Sequence, residues 1–212
     1  MSAMSRYHLI ASKGTGSMIA EAALALSGLP YEVEMIPYVE PGPQRERLLA
    51  LNPLGQVPTL LLPDGRVMTE SAAIILHLAD AAPTSGLAPD ARDPARPMFL
   101  RWLEFIVAAI YPTFTYGDDP SRWASDEAAA KHLRKATDEH RKELWRYFAA
   151  QTPCQPWVLG EPFSALDLYV AVMTTWRPGP AWFKQETPAL TAIAARVAQL
   201  EALRAAWQRN VD

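Results

Sequence analysis

The sequence predicts an α/β domain followed by an all-α domain: a small mixed four-stranded sheet with helices on its faces, then a helical bundle. Three observations predict this. Strand-like and helix-like segments alternate through the first part of the chain. A tract rich in proline, small residues and charge, APTSGLAPDARDPARP from Ala82 to Pro97, then interrupts the pattern. Beyond it, apolar residues recur only at helical spacing. The implied boundaries are a first domain over 1–82, a linker over 83–97 and a helical domain over 98–212.

Taken in order, Tyr7 to Ala11 reads as a strand and Ser17 to Ser27 as a helix rich in Ala and Leu, with Gly28 as its stop signal. Tyr31 to Ile36 alternates in the manner of a strand, and Arg45 to Leu51 is a short helix ended by Asn52-Pro53. Thr59 to Leu62, the turn Pro63-Asp64-Gly65 and Val67-Met68 form a hairpin, and Ser71 to Ala81 a further helix. The crossover through the first helix makes the first two strands parallel, and the hairpin adds an antiparallel edge. In the second part, Met98 to Tyr111 and Ser125 to Ala150 read as helices, the latter polar, with Leu133, His140, Leu144 and Phe148 near one face. Ala165 to Trp176 and Pro188 to Arg209 complete the bundle, the last with Thr187 as capping hydroxyl and Pro188 in its first turn.

The 212 residues are half hydrophobic and one-fifth charged, enough for a sizeable core without staples, and the formal charge of −3 argues against nucleic-acid or anionic-membrane partners. The single cysteine, Cys154, excludes a disulfide framework and fits a reducing compartment. No apolar run approaches the ~20 residues a membrane span needs. The opening MSAMSRYHLIASKG has too short an apolar core for a secretory signal, so a cytoplasmic protein is expected.

Several chemistries fail on their spacing. The run GTGS, Gly14 to Ser17, begins like a dinucleotide fingerprint, but Ile19 stands where its third glycine belongs, and no phosphate-loop lysine is present. His8, His77, His132 and His140 lack metal-ligand spacing, so no metal is expected, and His140 reads as a hydrogen-bonded inward-facing residue. There is no nucleophile elbow, and Cys154, in a loop, reads as structural.

Three motifs survive: NPLGQVPTL (Asn52 to Leu60), TESAAI (Thr69 to Ile74) and GEPFSALDLYVAVM (Gly160 to Met173). Pro58 in the first removes a ladder hydrogen bond at the head of a strand, where proline is tolerated only at first positions, edges and bulges. In the second, Ser71 can cap a helix beginning at Ala72. A helix N-terminus holds a carboxylate and Glu70 beside it can take an ammonium, which together suit an α-amino acid; a plain cap is the simpler reading. The third holds a capping box, Ser164 with Asp167, between staple residues Phe163 and Leu168, and serves structure.

In order and spacing these motifs resemble the cytosolic glutathione transferases over about Tyr7 to Arg209. The resemblance implies a thioredoxin-like first domain, glutathione as co-substrate, a small-molecule electrophile, a homodimer and a detoxification-type conjugation. It implies that Pro58 is cis and that Val57 offers its backbone to the cysteinyl part of glutathione. It assigns Glu70 and Ser71 to the γ-glutamyl end and Gln56 to a polar contact; Arg45, Arg47 and Lys13 are all open for the glycyl carboxylate.

The group that activates the thiol departs from the family pattern. No tyrosine stands at the strand end, the cysteine of some bacterial members falls at Gly16, and the serine of zeta-like classes at Gly14. Thr15, then Ser17, then Ser12 are the candidates, with plain helix capping as the other reading of Thr15 and Ser17. Gly14 and Gly16 would also let backbone N–H groups approach the sulfur. Trp102, Phe105, Tyr111 and Tyr116 are the candidate lining of an electrophile pocket between the domains. The alternatives are a glutathione-dependent peroxidase or disulfide reductase, and a non-catalytic binding protein of the same fold.

Overall fold

The computed structural model describes residues 6–211, so the first five residues of the stretch read for a leader lie outside it. By its contacts the chain divides into two units, one of Met1–Asp90 with Arg196–Asp212, the other of Ala91–Ala195. The carboxyl-terminal segment thus groups with the sheet-bearing unit, although in sequence it continues the helical part.

In the first unit, β1 (Tyr7–Ala11), α1 (Ser17–Ser27), β2 (Tyr31–Met35), α2 (Pro43–Leu51), β3 (Thr59–Leu61), β4 (Val67–Met68) and α3 (Ser71–Ala81) follow in order. The sheet order is β2-β1-β3-β4. β1 runs parallel to β2, with Tyr7 opposite Tyr31, and antiparallel to β3, with Ile10 opposite Thr59; β3 and β4 are antiparallel. This is the mixed sheet with a hairpin edge that the alternation predicts. Side chains alternate across the strands, so Ile10 packs with Ile36 and with Leu48 of α2, while Leu9 and Ala11 are buried on the other face. Helix α1 stops at Gly28, whose φ of 67° is the left-handed conformation that a C-terminal glycine supplies. α2 begins at Pro43, two residues before the expected start, because a proline is preorganised for the first helical turn.

One expectation about a helix start is corrected. Ser71 is not the cap of α3 but its first helical residue. Glu70 occupies the cap position, at φ 63° and ψ 109°, and no side chain caps the helix. The Thr187 hydroxyl donates to the Phe183 carbonyl at 3.3 Å.

In the second unit, α4 (Arg96–Phe105) passes through a π-helical stretch, Ile106–Ile110, into α5 (Tyr111–Asp118), so the helix read as ending at Tyr111 continues past it. The wider π turn immediately precedes Pro112, whose ring would clash with the carbonyl four residues back in a regular helix. α6 (Glu127–Gln151) is capped by the Asp126 side chain on the Ala129 N–H. Its buried face is only partly the expected one, Phe148 being the shared residue. His140 is exposed, with Nδ1 3.4 Å from Glu143, and the inward residues are Arg141, Trp145 and Phe148. A polar reading of Arg141 shifts the stripe by one residue. The arginine is buried because Thr113 Oγ1, the Thr113 carbonyl and Asp138 all accept from its guanidinium at 2.8 Å, and the ring of Phe114 lies 3.8 Å beneath it.

α7 (Ala165–Met173) carries the expected capping box: Asp167 accepts from the Ser164 N–H at 2.8 Å and Ser164 Oγ from the Leu166 N–H at 3.3 Å. A short helix, α8 (Pro180–Glu186), was not expected; its signal is Gly179-Pro180, a positive-φ cap followed by a first-turn proline. The stretch read as one helix from Pro188 to Arg209 is two, α9 (Pro188–Ala198) and α10 (Arg204–Asn210), joined by a 3₁₀ turn at Glu201–Leu203. In the first unit, α10 packs on α1. Arg209 donates to the fully buried Glu21 at 2.6 Å and Asn210 to its other oxygen at 2.9 Å.

Candidate functional site

The site is built where β3 begins. The Val57-Pro58 bond is cis, and Val57 stands just outside the ladder with neither backbone group hydrogen-bonded among the described residues. The loop that presents it is held from within. Asn52, nearly fully buried, donates from Nδ2 to the Gln56 carbonyl at 3.0 Å and to Thr59 Oγ1 at 3.2 Å, and Thr59 Oγ1 donates to the same carbonyl at 2.9 Å. Gln56 itself is exposed. These bonds fix the residue before Val57 while Val57 keeps a donor and an acceptor to offer, the minimum edge that an extended peptide-like ligand can join.

Glu70 stands at the head of α3, across the β3-β4 hairpin in sequence. It is exposed, its carboxylate makes no hydrogen bond or ion pair among the described residues, and its backbone is left-handed. A non-glycine residue in such a conformation costs on the order of 1–3 kcal/mol, and such residues cluster at ligand sites. Its carbonyl takes the Ile74 N–H at 3.0 Å, so the strained residue starts the helix. Beside it, Ser71 opens the N-terminal turn, which attracts anions. The pair offers an acceptor for an ammonium next to donors for a carboxylate.

The end of β1 holds the three hydroxyls. Gly14, at φ 73°, folds the chain so that Ser17 returns to Ser12. The Ser12 N–H donates to Ser17 Oγ at 3.0 Å, the Thr15 and Ser17 hydroxyls lie 2.7 Å apart, and the Ser12 carbonyl is 2.8 Å from Thr15 Oγ1 and 3.2 Å from Ser17 Oγ. Two hydroxyl protons therefore meet two acceptors inside this ring, and Ser17 is fully buried. The Ser12 hydroxyl is different: it makes no hydrogen bond among the described residues, and Ser12 is half-buried. The antiparallel register pairs His8 with Leu61, Leu9 with Leu60 and Ile10 with Thr59, and ends there, two residues before Ser12 on one strand and two residues after Val57 on the other. Gly14 and Gly16 donate no backbone hydrogen bond among the described residues. Tyr7, at the other end of the strand, is 3.2 Å from His77 Nε2, and burial pushes its hydroxyl pKa up.

The three basic candidates separate. Arg47 pairs with Glu34 at 2.5 Å, Arg45 donates to the backbone carbonyls of Tyr38 and Gly55, and Lys13 is exposed with no ion pair among the described residues. The four aromatic candidates make different ring contacts within the second unit. Trp102, fully buried, meets Phe105 and Phe148 edge-on; Tyr111 meets Tyr169 and Trp176; Tyr116, 43% exposed, packs on Trp123. Cys154 is buried, 3.0 Å from Thr152 Oγ1, and burial pushes its pKa up, which suits the structural reading. Among the described residues no group of three or more His, Cys, Asp or Glu could hold a metal ion, and no helix is long and apolar enough to cross a membrane.

Residues 17–81 match the family described as glutathione S-transferase, N-terminal domain. The uncharacterized GST-like protein YncG of Escherichia coli strain K12 is 41% identical over 198 residues, covering 93% of this chain and 95% of that protein. Among solved structures, a glutathione transferase homologue from Sulfitobacter with bound glutathione superposes with a TM-score of 0.86 at 25% identity, over 97% of this chain and 98% of that one. A sphingomonad glutathione S-transferase complexed with glutathione gives 0.75 at 29% identity, over 95% and 97%.

Proposed function

As the chain belongs to the glutathione S-transferase family, we propose that it binds glutathione on its first domain, residues 1–82, and conjugates the thiolate to a small electrophile. The observation that carries this reading is Val57, whose backbone N–H and C=O both lack partners beside a buried strand. The cysteinyl C=O and N–H of the tripeptide pair with them as a short antiparallel strand. The γ-glutamyl carboxylate lies at the N-terminus of α3 by Ser71, its ammonium takes the unpaired Glu70 carboxylate, and Gln56 adds a polar contact.

The thiol then belongs near the end of β1, the strand paired with β3 beside Val57. Of the three hydroxyls, Ser12 fits best, because its proton is not consumed in the ring that occupies Thr15 and Ser17. A free thiol has a pKa of about 8.5, and each unit by which the site lowers it requires about 1.4 kcal/mol of preference for the thiolate. The Ser12 hydroxyl, the N–H groups of Gly14 and Gly16 and the positive end of α1 supply that preference. Thr15 and Ser17 hold the turn in shape. The thiolate attacks an electrophilic carbon: a C–S bond forms, the leaving group departs with its bonding electrons, and the thiol proton goes to water.

The test is a pair of assays with glutathione, one with a chloronitroarene and one with a hydroperoxide. Turnover of the arene supports conjugation. Turnover of the hydroperoxide alone moves the activity to the glutathione-dependent peroxidase class. Binding of glutathione without either turnover makes the chain a binding protein of the family.

A further inference from the structure

Helix α2 carries two arginines, and they do different work. Arg47 sits on the surface against Glu34. Arg45 is half-buried, and its Nη1 donates both to the Tyr38 carbonyl and, at 2.8 Å, to the Gly55 carbonyl. These acceptors lie on the segment that leaves β2 and on the loop that leads into the Val57-Pro58 bond. The guanidinium also fills the space over Gly55: a methyl group there would come within 2.7 Å of Nη1, 2.8 Å of Nη2 and 3.0 Å of Cζ. Gly55 is buried at φ 62°, so both its backbone conformation and its lack of a side chain suit the arginine.

The loop is thus held from two sides. Asn52 and Thr59 fix the Gln56 carbonyl from inside, and Arg45 fixes the Gly55 carbonyl from outside. Two residues further on, Val57 packs with Tyr38 on the Ile10, Ile36 and Leu48 cluster, to which Arg45's own helix contributes.

We infer that Arg45 is a positioning residue for Val57, a brace that sets the peptide-binding edge, and not the partner of the glycyl carboxylate. This rests on the glutathione reading above. Two bonds from Nη1 to neutral carbonyls and the packing of Nη1, Nη2 and Cζ over Gly55 commit the guanidinium to the loop, and a lysine ammonium would keep the charge without that flat packing.

The test compares glutathione with its glycyl amide, in which the terminal carboxylate is neutral, on the wild-type protein, Arg45→Ala and Arg45→Lys. A brace predicts that Arg45→Ala weakens both ligands by the same factor, about 10-fold, as expected for losing bonds from a charged donor. It predicts a rise in KM for glutathione with kcat at saturation unchanged; a general loss of folded protein would lower kcat and leave KM alone. It also predicts that Arg45→Lys, which keeps the charge, restores less than half of the lost affinity on a logarithmic scale. The inference is overturned if Arg45→Ala weakens glutathione but not the amide, if Arg45→Lys restores full affinity, or if Arg45→Ala changes nothing. Should Arg45→Ala fail to fold, the ligand comparison on Arg45→Lys decides alone. Failure of the wild-type protein to bind either ligand would instead sink the glutathione reading.

Discussion

The two corners of the site are built in opposite ways. At the loop before β3 and the head of α3, polar groups are left open: the Val57 backbone and the Glu70 carboxylate have no partner among the described residues. At the head of α1 they are closed on one another, with Thr15, Ser17 and the Ser12 carbonyl in one hydrogen-bonded ring. Open groups held by a rigid frame are what a binding edge needs, since they gain their bonds only with ligand. A closed ring fixes geometry and has little left to give. On the proposed reading, grip and thiol activation are separable, and Ser12, the hydroxyl outside the ring, is the one proposed to activate the thiol.

The largest expected effect undermines the closed corner from behind. Glu21, one turn into α1, is fully buried and held by Arg209 and Asn210 of α10. Arg209→Ala leaves that charge short of a partner and should lower unfolding stability in urea by about 3 kcal/mol. Glu21→Gln in the same background should recover part of the loss; no recovery would show that the unpaired charge is not the cause.

Next in size is the contrast between hydroxyls. Ser12→Ala should lower kcat/KM about 100-fold, the scale of losing one donor to a developing anion, whereas Thr15→Val should change it about 3-fold. The ultraviolet absorbance of bound thiolate should shift to higher pH in Ser12→Ala only. The reverse ranking would return the role to Thr15 and erase the distinction between the corners.

The smallest effect lies in the second unit, outside the comparison, and serves as its control. Burial pushes the Asp167 pKa from 3.8 to about 6, against the hydrogen bonds from the Val158 and Ser164 N–H groups. With the folded pKa above the unfolded one, the stabilising contribution is full below about pH 4 and is lost as pH rises through about 6. The stability gap between wild type and Asp167→Asn should therefore narrow by about 1 kcal/mol from about pH 5 to about pH 7.5, while glutathione affinity does not follow it.

Much of the first unit was legible because its signals are local. Gly28 ends α1, Pro63-Asp64-Gly65 turns the hairpin, and apolar alternation sets the strands. The loop before β3 and the head of α3 stood out through motif order, from Asn52 to Leu60 and from Thr69 to Ile74. The hydrogen-bonded arrangement of the α1 hydroxyls was not legible, because it depends on Gly14 turning Ser17 back onto Ser12, a contact five residues apart that no periodicity announces. Arg141 misled for a related reason: a charged residue counts as surface until its partners are seen, and Thr113 lies 28 residues earlier. The gap between α9 and α10 and the cap position of Glu70 are boundary matters that tertiary packing decides.

The most direct test is a calorimetric titration of glutathione into the wild-type protein and Glu70→Ala. The open-corner account predicts binding at millimolar or lower concentration in the wild type, and an affinity lower by about 10-fold or more in Glu70→Ala, the loss of one charge-assisted contact. Wild-type protein that takes up no glutathione in the millimolar range, or a Glu70→Ala variant that binds it equally well, would contradict it.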